Sequence, residues 1–292
     1  MCKLVSAIIT THNRQQLLLR AVKSVISQTY KNIELIVVDD ASDERSDDLL
    51  AEYSLQYIYI PKEESKGGNY ARNKGILTAK GDYVAFLDDD DYWLPQKIEK
   101  QIELISKQSC ELVYCGRTIE RLLEVEGTEF RDVLPYPFPD GNMKKKILLR
   151  PLCCTTTILV SKKALYEVGL FDEDLAFWQD YELTIRLAQI TPFYYVHEPL
   201  CVYREDFSEK QRLTNQYYGW KRAIKYIHKK HHNLYKTLSI EDRIYVNLSV
   251  WFDAFQRCKV SNMKWRGLHY RILIKLFCRI PLRIYNIIHK TN

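Results

Sequence analysis

The chain has 292 residues, 46% hydrophobic and 27% charged, proportions that exclude a disordered polymer and fit one large α/β domain with an appendage or two small domains. The formal net charge of +6 is unevenly spread. Acids gather early, at Asp39-Asp40, Asp43-Glu44, Asp47-Asp48 and Asp88 to Asp91, whereas nine Lys or Arg and no acid follow Asp253. No run of about twenty apolar residues is present, which excludes a membrane-spanning helix, and the apolar run in MCKLVSAIITTHNR is too short for a signal peptide. The eight cysteines form no C-x-x-C pair and Cys153 adjoins Cys154, so the thiols are expected free in a reducing cytoplasm. Twenty-one tyrosines suit a protein that handles sugars or membrane interfaces, and a Tyr-rich core equally.

In chain order, LVSAII (4–9) has the unbroken apolar character of a buried parallel strand. Leu18, Val22 and Ile26 repeat at helical spacing, and Asn13 with Gln16 resembles a capping box. IELIVVDD is a second buried strand, a polar helix is expected around Asp47 to Tyr53, and QYIYI at 56–60 is a third strand. Lys66-Gly67-Gly68 opens the helix NYARNKGILTA, and Gly81 precedes the strand YVAFL. A helix from Pro95 carries Ile98, Ile102 and Ile105, and LVYC at 112–115 is a strand. Strand and helix alternate, which predicts a doubly wound, mostly parallel sheet. From 116 to 205 the rhythm loosens. RTIERLLEV with TEFRDVL suggests a hairpin, CCTTTILV a strand, and Asp180 opens the helix YELTIRLAQI. Beyond about 206 the chain reads helical.

Both aspartate clusters fall just past strand ends, where open α/β sheets bind ligands. Asp88 to Asp91 repel one another and need a cation or strong donors nearby. Their hard oxygens suit Mg²⁺ or Mn²⁺, completed by substrate phosphates. An isolated acidic run is usually a solvated turn, but its place after YVAFL reverses that expectation. Asp39-Asp40 ends the neighbouring strand, where a carboxylate can accept from a pyrimidine N–H or a ribose hydroxyl, or simply make an Asx turn. Asp180 can take the proton from an attacking sugar hydroxyl, although by spacing alone a helix-capping role is the stronger reading.

The set VSAIITTHNR, SVISQTYKNIELIVVDDAS, ARNKGILTAKGDYVAFLDDDD and FWQDYELTIRL resembles the family 2 glycosyltransferases with the GT-A fold, in the same order over roughly 3–205. The resemblance implies that Thr10 and Asp40 contact the uracil of a UDP-sugar and that Arg72 lies near the donor phosphates or sugar. It implies a D-x-D-type element in Asp88, Asp89 and Asp90, with Asp90 the direct ligand of Mn²⁺ or Mg²⁺, Asp88 beside it and Asp89 towards the ribose or sugar. Asp180 would be the base of a single inverting displacement. Gln179 stands where many members have Glu, YREDFSEK offers no late His, and no Q-x-x-R-W follows Asp180. His197 reads as structural. Single-sugar addition therefore fits better than processive synthesis. The pattern Asp88-x-Asp90-Asp91 resembles enzymes of O-antigen assembly that add glucose or galactose to an N-acetylhexosamine on a diphosphate-lipid carrier.

The organisation this implies is a nucleotide-sugar half at 1–115, an acceptor half at 116–205 and a basic helical region at 206–292. In that last region Leu268, Ile272, Leu276, Ile280, Ile284 and Ile288 form an aliphatic row beside Arg271, Lys275, Arg279 and Arg283, with a kink expected at Pro281. Such paired stripes suit a helix lying on an anionic membrane, at the cytoplasmic face where a polyprenyl-linked acceptor is displayed, or a helix packed on the catalytic domain. No nucleic-acid motif accompanies the charge. Two other readings stay open. One is a metal-dependent nucleotidyltransferase, against which no Gly-rich triphosphate loop follows the first strand. The other is a non-catalytic, membrane-associated sugar-nucleotide-binding protein.

Overall fold

A computed structural model describes residues 3–122, 127–135, 140–206 and 217–278, and within the last helix the side chains as far as Lys275. In chain order these form β1 (Val5–Thr11), α1 (Gln15–Ile26), β2 (Ile33–Asp40), α2 (Asp47–Leu50), β3 (Gln56–Ile60), α3 (Gly68–Thr78), β4 (Tyr83–Asp88), β5 (Tyr92–Trp93) and α4 (Lys97–Lys107). They continue with β6 (Leu112–Leu122), β7 (Thr128–Val133), α5 (Lys146–Leu149), a 3₁₀ turn (Thr155–Thr157), β8 (Ile158–Ser161), α6 (Lys162–Glu167), α7 (Gln179–Ile190) and β9 (Phe193–Asp206). Last come α8 (Tyr217–Lys230), α9 (His232–Lys236), α10 (Ile240–Val260) and α11 (Lys264–Cys278).

One mixed sheet runs in the order β3-β2-β1-β4-β8-β6-β9-β5, with β7 added on β6. Strands β3, β2, β1 and β4 run parallel to one another, as apolar runs covered on both faces require. Val5, Ala7, Ile8 and Ile9 of β1 are all buried. The helix α3 lies tightly on this sheet because Gly75 has no side chain: a Cβ there would come 2.6 Å from Cγ2 of Ile8. The rest of the sheet differs. Strand β8 inserts antiparallel between β4 and β6, and β6 runs parallel to β9. The expected hairpin is present, Arg117 pairing with Val133 and Leu122 with Thr128.

Three local expectations need correcting. Asn13 does not cap α1. It takes a left-handed φ of 56°, and its side chain bonds Asp43 instead, accepting from the backbone N–H at 2.8 Å and donating to the carboxylate at 3.2 Å. CCTTTILV is a strand only from Ile158, because Cys154 and Thr157 bond each other's backbone and curl the segment into a 3₁₀ turn. Asp180 lies one residue inside α7 and does not cap it, the N-cap being Trp178.

The chain divides into two compact units, Met1–Lys144 with Leu152–Ser208, and Lys145–Pro151 with Glu209–Asn292. The second is helical. Trp220, Ile224, Ile227, Val246, Ala254 and Cys258 fill its interior, and the Tyr217 and Tyr270 hydroxyls meet at 2.8 Å. Of the two C-terminal rows, Leu268 and Ile272 are described and exposed, as are Arg271 and Lys275. The side chain of Leu276 and all of Arg279, Ile280, Pro281, Arg283, Ile284 and Ile288 lie outside the described residues. The described cysteines are all free thiols.

Candidate active site

The carboxyl ends of β1, β2 and β4 place their last residues side by side, Thr10 opposite Asp88 and Thr11 opposite Asp39 in register. The adjacent aspartates then separate by task. Asp39 is consumed by structure. It accepts from the Ser42 backbone at 2.9 Å and from the Tyr57 hydroxyl at 2.6 Å, fixing the turn after β2. Asp40 is buried too, yet its Oδ1 is sealed from solvent without a partner. A buried acceptor left unpaired costs about 1–3 kcal/mol, so Asp40 is the member of the pair free to meet a ligand's N–H or hydroxyl.

The acidic run divides by the same logic. Asp91 is fully buried, accepting from Thr156 Oγ1 at 2.6 Å and from the Arg204 backbone at 3.1 Å. Burial and the charges of Asp90 and Asp88 push its pKa well up. Asp89 is also inside, receiving the Thr11 hydroxyl at 2.7 Å and Arg14 at 3.2 Å. Burial, helped by Asp90 and opposed by Arg14 and Thr11, raises its pKa to about 6. The two acids with open side chains are Asp88 and Asp90, 30% and 16% exposed. This alternation sets Asp88 and Asp90 forward and holds Asp89 and Asp91 back.

Three guanidinium groups surround the run, answering the repulsion of four carboxylates. Arg72 of α3 donates to Asp88 Oδ1 at 2.6 Å, Arg14 spans Asp89 and Asp90 at 3.2 and 3.1 Å, and Arg20 of α1 donates to the Asp90 carbonyl at 2.6 Å. Arg20 also holds Glu120 of β6 at 3.1 Å. Arg14 and Arg20 gave no separate signal in the sequence, since lone arginines at the start of a helix read as surface charge. The Nε atoms of Arg20 and Arg72 are buried without hydrogen-bond partners.

Helix α3 links this cluster to the stretch before α7. On either side of Arg72, Asn69 donates to the carbonyls of Asp172 and Leu175, both at 2.7 Å, and Asn73 donates to Phe171 O and Glu173 Oε1, both at 2.9 Å. The segment so clamped leads to Trp178, whose φ of 54° turns the chain sharply into α7. Asp180 follows, its Oδ1 accepting from the Tyr181 backbone at 2.8 Å. Burial raises its pKa, opposed by the Tyr181 N–H and by the charges of Arg72 and Arg117, and reinforced by Asp88. Asp180 therefore shares one electrostatic environment with Arg72 and Asp88, as a general base facing a metal-phosphate site would.

No group of three or more His, Cys, Asp or Glu side chains poised around one point occurs among the described residues. The donor set still fits a divalent ion of the Mg²⁺ type. Two partly open carboxylates, Asp88 and Asp90, at one strand end are what such ions take from protein when substrate phosphates supply the rest. The His197 ring lies against that of Tyr195, centroids 4.6 Å apart and tilted by 54°, with Nε2 3.6 Å from Asp140.

Residues 6–169 match the Glycosyl transferase family 2 profile. An uncharacterized glycosyltransferase of Rickettsia typhi is 34% identical over 202 residues, 68% of this chain and 62% of the relative, so the chain spans less than two thirds of that protein's length. A UDP-Glc:alpha-D-GlcNAc-diphosphoundecaprenol beta-1,3-glucosyltransferase, WfaP of Escherichia coli, is 32% identical over 73% of this chain and 85% of its own. Among solved structures, TarS residues 1–349 of S. aureus with UDP-GlcNAc superposes with a TM-score of 0.58 at 14% identity, covering 94% of this chain and 92% of that one. That likeness bears on the fold, a GT-A-type α/β domain with a helical C-terminal region.

Proposed function

The chain belongs to glycosyl transferase family 2, and from that premise we propose that it transfers a single hexose, glucose or galactose, from UDP to a saccharide acceptor. The acceptor we assign is an N-acetylhexosamine on a polyprenyl diphosphate, in the assembly of a bacterial surface polysaccharide such as O-antigen or capsule. The observation that carries this reading is that Arg72 of α3 holds Asp88 at the end of β4 while the charges of both bear on Asp180, with the unpartnered Oδ1 of Asp40 at the end of β2. The likeness to the Escherichia coli glucosyltransferase, extending over most of that protein, supports the donor and acceptor classes. A nucleotidyltransferase is set aside by the family membership.

In this mechanism residues 1–115 hold the donor and residues 116–205 the acceptor. Asp40 and Thr10 receive the uracil, Asp89 keeps Thr11 and Arg14 in place beneath the ribose, and Arg72 orients the diphosphate. Mn²⁺ or Mg²⁺, held by Asp90 with Asp88, would offset the charge gathering on the departing diphosphate. Asp180 accepts the acceptor proton as the hydroxyl oxygen bonds to the anomeric carbon and the bond from that carbon to UDP breaks. One displacement inverts the centre, so an α-linked donor gives a β-linked product.

No described helix is long and apolar enough to cross a membrane. Contact with an anionic membrane, at the cytoplasmic face of the inner membrane, is proposed through α11. Its exposed Trp265, Leu268 and Ile272 recur on one face beside Lys264, Arg271 and Lys275, and Trp265 is 85% exposed. Such a pairing of apolar and basic rows binds interfaces.

The test is release of UDP or GDP from a panel of nucleotide sugars with an alkyl-diphosphate N-acetylglucosamine and Mn²⁺. UDP release that is abolished by chelator and by Asp90→Ala is expected. Full turnover in excess EDTA would refute the metal assignment, and release of pyrophosphate from a nucleoside triphosphate would refute the reaction class.

A further inference from the structure

Among the described residues Arg117 is a cation without a carboxylate counter-ion. Its Nη1 donates to the Cys154 thiol at 3.6 Å, its guanidinium lies 5.5 Å from the Tyr203 ring centre, and its Nε is sealed from solvent without a partner. No carboxylate pairs with it among the described residues, whereas Arg14, Arg20, Arg72, Arg121 and Arg186 each have one within 4 Å. A thiol is a weak acceptor, and an unpaired buried donor costs about 1–3 kcal/mol. The cation is firmly protonated, for the nearby Cys154 and the Tyr203 ring raise its pKa against the opposing effect of burial.

The backbone aims this side chain deliberately. The pairing of β6 with β9 slips on both sides of Gly116, so that Cys115 faces Val196, Gly116 faces Pro199 and Arg117 faces Cys201. Bulges of this kind re-aim a side chain beside a site. Gly116 is needed there because a Cβ would come 2.6 Å from Leu134 and 3.1 Å from the Glu198 carbonyl. The bulge delivers Arg117 to Cys154, the residue before the 3₁₀ turn whose Thr155 hydroxyl reaches Asp88 at 3.4 Å. The charge of Arg117 also bears on Asp180, whose carboxylate it favours.

We propose that Arg117 is a binding point for an oxyanion carried by the acceptor, a phosphate of its diphosphate linkage or the carboxylate of an acidic sugar. The inference rests on Asp180 being the base. The hydroxyl that gives its proton to Asp180 belongs to the acceptor, so a cation neighbouring Asp180 on the acceptor half lies against the acceptor. The donor diphosphate already has Arg72, which donates to Asp88 Oδ1. A guanidinium matches phosphate or carboxylate in a two-point contact that an ammonium cannot make. Arg117 would thus select charged acceptors over neutral ones.

Three probes test this by calorimetry without donor: an alkyl-diphosphate N-acetylglucosamine, an alkyl glucuronide, and a neutral alkyl N-acetylglucosaminide. One of the two anionic probes should bind wild-type protein about 10- to 100-fold more tightly than the neutral one, the equivalent of one charged hydrogen-bonded contact. Which of the two does so identifies the source of the anion. In Arg117→Gln that advantage should vanish while the neutral probe binds as before, and in Arg117→Lys it should shrink but persist. UDP affinity should not change in either variant, nor should the Arg117→Gln melting temperature fall. Equal binding of all probes by the wild type, an advantage that survives Arg117→Gln, or a matching loss of UDP affinity would each overturn the assignment. A chain that bound the anionic probe through Arg117 but released no UDP in turnover would refute the transferase reading and leave this one standing.

Discussion

Replacing Asp89 with Asn should strengthen the metal-free protein at neutral pH, although it removes a charge that touches Arg14. The carboxyl sits inside, with only 6% of its side chain exposed, and its pKa in the fold is about 6 against an ordinary 3.8. As pH rises from about 4 to about 6, the unfolded chain has already released this proton while the folded chain still holds it, so stability falls through that window. At 1.36 kcal/mol per pH unit, the gap amounts to about 3 kcal/mol lost once both forms are ionised. The amide of Asn can still accept from the Thr11 hydroxyl but never ionises, so the variant escapes this loss. Urea unfolding without metal should show Asp89→Asn more stable than wild type by up to about 3 kcal/mol near pH 8, the two curves converging towards pH 4. Asp91 and Asp180 also have raised pKa values and impose their own slope on both proteins, which is why the difference between the two is the quantity to follow. A variant less stable at pH 8, or offset equally at every pH, would refute the reasoning.

Asp180→Asn keeps the bond from the Tyr181 N–H but cannot take a proton, so turnover should fall by about 10²–10⁴ while donor affinity measured by calorimetry holds. In the wild type, turnover should decline on acidification through a pKa above the ordinary carboxylate value, because burial favours the neutral acid. Near-normal turnover of the variant would move the base to Asp172 or Asp174, and an α-linked product by NMR would exclude single displacement. Gly75→Ala should cost about 1–3 kcal/mol in urea unfolding, since the new methyl meets Ile8 on a buried central strand. A neutral outcome would mean that α3 can lift from the sheet. Trp265→Ser should weaken binding to anionic vesicles at low salt with turnover on a short-chain acceptor preserved, and a wild-type protein that ignores such vesicles would refute the membrane contact.

The strand ends within residues 1–115 were readable because polar residues stand where the apolar periodicity ends. Continuous apolar runs at 4–9, 33–38 and 83–87 can only be covered strands, and the aspartates after them fall at the edge where such sheets bind. What periodicity withheld, and only the family resemblance suggested, was the sorting within each cluster. Asp39 and Asp40 are identical on paper, and only the fold gives one a Tyr57 hydroxyl and leaves the other's Oδ1 bare. The insertion of β8 between β4 and β6 is equally silent, since four residues pair with strands 40 or more positions away. Arg14, Arg20 and Arg117 were invisible for a related reason: a lone Arg reads as surface until its distant partner is known.

Backbone conformation was the other hidden quantity, and among the described residues three of the five non-glycine residues with left-handed φ lie beside the candidate site. Asn13, Ala41 and Trp178 all adopt left-handed φ angles, of 56°, 64° and 54°. The first lies after His12, whose ring nitrogen meets the Asp40 carbonyl at 2.6 Å, the second directly after Asp40, and the third two residues before Asp180. Asn tolerates this region, but Ala and Trp do so at a cost of about 1–2 kcal/mol each. The strain at Ala41 is held by the Ser42 backbone bond to Asp39. At Trp178 it is held by the ring set edge-on to Tyr181 at 5.3 Å and, upstream, by the two asparagines of α3 that anchor the preceding segment. Because the same helix supplies Arg72 to Asp88, the strained turn before Asp180 and the acidic run share one support. Asn69 and Asn73 accordingly support both, so that a change in α3 reaches Asp180 and the acidic run together.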